Sequence, residues 1–310
     1  MAKRLLVALT ATPAALLVGC HDDSPSLNSG PPTSVTQVAS GGFTSPTDAV
    51  ASPDGSTFYF AAFLTDEDKT PAIFSVASSA GSTATPIAMG DPLNLPIGMV
   101  LSCDGATAYI ADMGGDGDGA VLSVATAGGA LTDLGVTGMI RPGGMAMSAD
   151  CNSLVMTGRS SDGKPGVFSV STAGGAASTV FAGEPFVSPT GLHVDDHDVA
   201  WVMDHLASGN DGEGVLFSVP RDGSGATEIA SDLRMGTPGG VSLTAGGGNA
   251  VIPTTDHDGH AQLSSINVDT GERTDLPVDA MSDPAGIRVA RGAGVFAVVD
   301  SEAGAILRAE

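Results

Sequence analysis

Carboxylates and imidazoles gather in a few short stretches of this chain. Asp112 is followed by Asp116 and Asp118, Asp204-His205 by Asp211 and Glu213, and Asp256-His257-Asp258 by His260, with Asp66-Glu67-Asp68 as a further acidic run. Hard cations such as calcium take several oxygens from a flexible loop, and three carboxylates fall within the seven residues from Asp112 to Asp118. That loop is no EF-hand, since it lacks the twelve-residue frame and the closing Glu. Mixed imidazole and carboxylate ligands suit zinc or another first-row divalent metal better. The candidate metal set is therefore Asp204, His205, Asp256, His257 and His260, with Asp112 contributing from across the same mouth. Imidazole coordinates only when neutral, so such a site would weaken at acid pH. A solvated acidic surface is the competing reading of these residues.

Other chemistries lack their residues. No Gly-x-Ser-x-Gly elbow supports a serine nucleophile, and no Walker loop or dinucleotide fingerprint occurs. The 35 acidic against 12 basic residues give a net charge of −23, which repels phosphate backbones and excludes nucleic acid as a partner. Tyr109 and Trp201 sit in strand patterns and read as packing residues. His193 and His197 fall beside a turn at the opposite end of their strands, where solvation is expected.

The chain opens with Lys3 and Arg4, an apolar run from Leu5 to Val18, and then Gly19-Cys20, the order of an export signal. Leu17-Val18-Gly19-Cys20 resembles the lipobox of bacterial lipoproteins. The resemblance implies lipidation of Cys20 as the first residue of the mature chain, and His21 in place of Asp leans towards the outer membrane. The mature chain would carry 10 basic and 35 acidic residues, formally −25, so attachment to a membrane must come from lipid. Residues 20–33 then form a flexible tether of Asp, Ser, Asn, Gly and Pro. The bacterial cell envelope is the expected location.

The rest of the chain repeats. Pro-x-Gly followed by an alternating apolar strand occurs at Pro96, Pro142, Pro189, Pro238 and Pro284, and Pro46-Thr47-Asp48 is a sixth, degenerate copy. Spacings of 50, 46, 47, 49 and 46 residues suit four short strands with turns, the size of one propeller blade. Within the second copy the strands fall at Met99 to Ser102, Thr107 to Ala111, Ala120 to Val124 and Leu131 to Val136, designated A to D. Asp-Gly and Gly-Gly turns between them are hairpin signals. The third strand recurs from Ile73, Val121, Val167 and Leu216 as near-identical tetrapeptides. The last copy stops after its third strand, and residues 34–38 align with the missing fourth. These features predict an all-β fold: a six-bladed β-propeller over residues 34–310, with four-stranded blades, its last blade closed by the N-terminal strand. Residues 1–19 form the signal peptide.

Pro-x-Gly, an apolar strand, an Asp-Gly turn and Tyr109-Ile110-Ala111-Asp112 together resemble the NHL and SMP-30 (gluconolactonase-like) group of propellers. The resemblance covers essentially the whole mature domain and implies a group containing lactonases, lyases and pure binding modules. Metal ligands in its lactonases stand at the starts of strand A. Here those places hold Thr44 and Ser45, with Thr47, Ile97, Gly143, Thr190, Gly239 and Ala285 at the x positions, and Asp48 is a lone acid among them. The expected function is a membrane-tethered scaffold that binds a protein or small ligand at its loop face. The alternative is an SMP-30-like metal-dependent lactonase, hydrolase or lyase whose zinc or calcium ligands have moved to the loops between strands B and C. Cys103 and Cys151 flank equivalent turns of adjacent copies, and export to an oxidising compartment would allow a disulfide between them.

Overall fold

Strands follow from the alternation of apolar residues, and tight turns follow from the glycines between them, many of which adopt positive φ. The computed structural model describes residues 30–114, 117–209, 212–236 and 239–310. Cys20, the signal segment, Asp116 and Asp211 lie outside the described residues. The protein is a six-bladed β-propeller. Blade 2 shows the plan: Pro96–Leu101, Thr107–Asp112, Ala120–Ala125 and Thr132–Asp133 pair in sequence as strands A to D. Blade 6 takes Pro284–Val289, Phe296–Asp300 and Ala305–Ala309 from the end of the chain. Its fourth strand is Val35–Ser40, paired antiparallel with Ala305–Ala309 from Val35↔Ala309 to Ser40↔Ala305. This closure pairs the free edge of Ala305–Ala309 and joins the two ends of the chain in one blade.

Strand alternation also builds the core. Each blade's two faces meet two different neighbours, so six apolar clusters form, one at each blade junction. On Thr107–Asp112, Ala108 and Ile110 pack towards blade 1 whereas Tyr109 and Ala111 pack towards blade 3. At the junction of blades 6 and 1, Phe60 stacks on Phe74 at 5.0 Å while Phe43 meets Phe60 edge-on at 4.7 Å. Each such ring stabilises by about 1.5–3 kcal/mol on burial.

Two details depart from the sequence reading. Strand D of blade 2 shrinks to Thr132–Asp133, because the chain beyond Asp133 leaves the blade and runs beside blade 3, where Thr137 bridges Ala176. The blades also alternate in kind. In blades 1, 3 and 5 strand B runs on into a short hairpin, as at Thr57–Leu64, Ser153–Ser160 and Asn249–Thr255. In blades 2, 4 and 6 it stops at a buried aspartate: Asp112, Asp204 or Asp300.

Strands A begin, and B to C loops lie, at one face of the ring, the mouth. The A to B turns occupy the opposite, turn face, where Cys103 and Cys151 of blades 2 and 3 are joined by a disulfide with a Cα separation of 6.0 Å.

Candidate functional site

The Pro-x-Gly motif exists because six strands converge on one axis. A Cβ on Gly98 would strike Gly143 O, on Gly144 Thr190 O, on Gly191 Gly239 O, and on Gly240 Ile287 N at 2.6 Å. Only glycine tolerates so close an approach of neighbouring backbones. The degenerate copy breaks the ring of glycines, and the side chain of Asp48 enters the axis there. Its Oδ2 accepts Met99 N–H at 2.9 Å and its Oδ1 accepts Ala49 N–H at 3.0 Å.

Arg288 fills the axis beside it. Its guanidinium donates to Met145 O at 2.7 Å, to Val241 O at 2.9 Å and to Leu192 O, and lies 3.9 Å from Asp48 Oδ2. One side chain thus ties blade 6 to blades 1, 3, 4 and 5. Burial raises the Asp48 carboxyl above its usual range, opposed by the Arg288 charge and the two N–H donors, and burial likewise lowers Arg288, opposed by Asp48. The free volume left between Asp48, Thr190 and Arg288 is about 10 Å³, near the lower limit for one water. The axis is a plug at this level.

The candidate metal ligands divide into separate environments. Asp112 accepts N–H groups of Asn94, Leu95 and Gly114 at 2.7, 3.1 and 2.8 Å. Asp204 accepts those of Val187, Ser188 and Leu206 at 2.7, 3.0 and 3.1 Å. Asp300, which sequence reasoning did not single out, repeats the pattern with Ser282, Asp283 and Ala303. These three buried carboxylates fasten the loop entering strand A to the end of strand B. His205 Nδ1 lies 3.0 Å from Ser188 O. His257 is exposed. Among the described residues, the ligand atoms that come within 4.8 Å of one another are those of Asp256, Asp258 and His260. Even there Asp256 is engaged: Oδ1 accepts the N–H groups of Asp258 and His260, both at 2.8 Å, and Oδ2 lies 3.1 Å from His260 Nδ1. Hydrogen bonding, from the His260 N–H above all, lowers the Asp256 carboxyl.

His193 is not a solvating turn residue. It lies within strand A of blade 4, Pro189–Val194, on the face that lines the axis, with Nδ1 3.4 Å from Ser242 Oγ. Desolvation, then the charges of Arg288 and Arg291, push its pKa down to about 3. Alternation in the strand would have placed it there, because it stands two residues after Gly191 as Arg288 stands two after Gly286.

Two cavities flank the plug. At the mouth a cleft of about 240 Å³ between blades 2, 3 and 4 is lined by Ile97, Met113, Arg141, Arg159, Pro165 and Pro189 among others. At the turn face a groove of about 630 Å³ between blades 4 and 5 includes His193, Asp195, Trp201, Gly247 and Arg291. Trp201 is buried beneath that groove, its Nε1 donating to Asp195 Oδ2 at 3.1 Å. The exposed large apolar side chains share the mouth side: Met89 ends strand D of blade 1, Leu95 and Val187 lie on loops entering strand A, and Leu206 follows strand B of blade 4.

No protein-family model matches the chain, and no curated protein matches it. Solved propellers do. The chain is similar to a nidogen/laminin complex structure, at a TM-score of 0.61 and 16% identity over 79% of this chain and 85% of that one. It is similar to TolB from Acinetobacter baumannii, at 0.58 and 16% over 76% of this chain and 54% of that one. A structural genomics protein of unknown function from Bacteroides thetaiotaomicron gives 0.62 and 16% over 89% and 72%. At such identities the likeness is one of fold.

Proposed function

We propose that this protein is an exported scaffold whose mouth face binds a partner protein, anchored in the bacterial cell envelope through a lipid on Cys20. The observation that carries the reading is that the exposed large apolar side chains, Met89, Leu95, Val187 and Leu206, all stand on the mouth side, with Leu95 and Val187 bonded through their carbonyls to residues that line its cleft. Exposed apolar side chains at the rim of a recess mark interaction surfaces, and Leu95 and Val187 flank this one. Catalysis has little to work with on that face, since Asp112 and Asp204 are filled by backbone donors and the axis is plugged. The fold shared with TolB and with a nidogen/laminin complex structure is compatible with that reading. Tether geometry agrees with it. The first strand enters from the turn face, where Thr33 N–H donates to Glu310 O at 2.7 Å, so an anchor on residues 20–33 would leave the mouth pointing away from the bilayer. The NHL and SMP-30 affiliation belongs to this proposal as well.

A photocrosslinker installed at Leu95 or Val187 should capture a defined partner in cells, whereas one at Asp104 on the turn face should not. Equal capture from both faces, or none from the mouth, defeats the reading. Cys20→Ala should lose lipid labelling and leave the membrane fraction. The metal-dependent hydrolase alternative rests on Asp256, Asp258 and His260, and zinc titration of wild type against His260→Ala tests it.

A further inference from the structure

Basic residues are scarce here, 12 against 35 acidic ones, and half of them are neutralised by an ion pair. Lys164, Arg221, Arg234, Arg273 and Arg308 each hold an exposed or partly buried carboxylate, and Arg288 faces Asp48. Lys69, Arg141, Arg159 and Arg291 differ, and of these Arg141 and Arg159 lie together. Among the described residues neither has a carboxylate within 4.0 Å, yet both line the same mouth cleft of about 240 Å³. Among the described residues, their guanidiniums are held by neutral acceptors. Arg159 donates to Gly163 O at 2.9 Å and to Val187 O at 3.3 Å, and Arg141 Nη2 lies 3.4 Å from Met113 Sδ. These contacts fix direction without cancelling charge, so donors on both guanidiniums stay available. Arg141 also holds a left-handed backbone at φ 53°, an unfavourable conformation for a non-glycine residue, with its N–H engaged by Asp118 O. In a chain of net charge −23, two cations in one recess that meet no carboxylate among the described residues have a specific complement.

We infer that the cleft between blades 2, 3 and 4 binds a carboxylate of a polypeptide partner, gripped by Arg141 and Arg159. Arginine suits this because its planar donors match the two oxygens of a carboxylate, and charge-assisted pairs are the stronger kind. Ile97, Met113, Pro165 and Pro189 supply apolar wall beside the two cations, and Ser188 and Thr190 add hydroxyls. The volume falls below the roughly 300–1,000 Å³ of small-molecule pockets and suits a single terminal residue or side chain. The rim points to a polypeptide. Val187, whose carbonyl orients Arg159, is 46% exposed on one side, and Leu95, whose carbonyl accepts Met113 N–H at 2.9 Å, is 36% exposed on the other. A chain anchored by its carboxylate would lay its preceding apolar residues over these two. The inference rests on the mouth-face scaffold reading and names the chemistry of its anchor.

The test is fluorescence titration of the full chain with dansyl-Ala-Leu-Val-Leu as the free acid, with the same peptide as its terminal amide, and with N-acetylleucine. The free acid should bind saturably and the amide at least about tenfold more weakly, the loss of a charge-assisted contact. R141N and R159Q should each weaken the acid about tenfold and leave the amide unchanged. Asparagine tolerates the left-handed backbone, so R141N decides the matter if R159Q fails to fold. Equal binding of acid and amide, no saturable binding of the acid, or full affinity in R141N overturns the carboxylate site. N-acetylleucine binding as tightly as the peptide overturns the polypeptide occupant. Mouth-face crosslinks that persist alongside any of these negative results would spare the scaffold reading and remove only this cleft.

Discussion

Asp48 of blade 1 and Arg288 of the neighbouring blade 6 meet at the propeller axis at 3.9 Å, each the exception at its position in the repeat. Asp48 stands where five other copies have glycine, and Arg288 where the others have Val50, Val100, Ala146, His193 and Ser242. The two irregularities complement each other. Removing one partner leaves a buried charge uncompensated, at a cost of about 3–5 kcal/mol. Asp48→Gly and Arg288→Val should therefore each destabilise strongly, while the double variant should be more stable than the sum of the two implies by about 1–3 kcal/mol. Urea denaturation of all four proteins measures this, and strict additivity would show that the pair is not coupled.

The glycine ring makes a steric prediction. Gly144→Ala would drive a methyl group into Thr190 O, whereas Gly117→Ala on the B to C loop of blade 2 meets nothing within 4 Å. The first should cost about 3 kcal/mol or more and the second close to nothing. Comparable melting temperatures for the two variants would contradict the close approach of the strands.

Asp204 is assigned here to fastening a loop. Asp204→Ala leaves the N–H groups of Val187, Ser188 and Leu206 without their acceptor, which should destabilise the fold by about 2–3 kcal/mol. Asp258→Ala, at an exposed position, should change stability by less than about 0.5 kcal/mol. Amide hydrogen exchange should quicken at 187 and 188 in the first variant alone.

His193 sets an acid-side dependence. The unfolded imidazole takes up its proton near 6.5, while the folded one resists until about 3. Its contribution to stability is complete above pH 6.5 and is lost as the pH falls towards 3. His193→Val, matching Val50 and Val100, should lose less stability than wild type between pH 7 and 4.5. An imidazole NMR resonance that titrates near 6.5 in the folded protein would refute the neutral, desolvated histidine.

Cys103–Cys151 closes a loop across two blades with a sequence separation of 48. Such a link stabilises by about 2–4 kcal/mol, so reduction should lower the denaturation midpoint, and alkylation of the denatured protein should label two cysteines more after reduction than before. Equal labelling with and without reductant counts against the bridge.

Much of this architecture was written in the sequence because repetition is local. Pro-x-Gly recurs at nearly even spacing, each copy carries its own turns and alternation, and the incomplete last copy already called for residues 34–38 as its partner. Asp48 was visible as a departure from the motif, but its meaning was not. The residue that answers it lies 240 positions away, and only closure of the ring brings them together. The same limit governs the loop acids. Asp112, Asp204 and Asp256 look alike as letters beside glycine and histidine, yet two are saturated by backbone N–H groups of a loop 16 to 18 residues earlier, while the third turns on its own hairpin. Hydrogen bonds of that kind depend on where a strand ends, which periodicity fixes only within a residue or two. Arg141 and Arg159 are 18 residues apart and unremarkable in composition; folding decided that they would share a cleft in which no acid stands among the described residues.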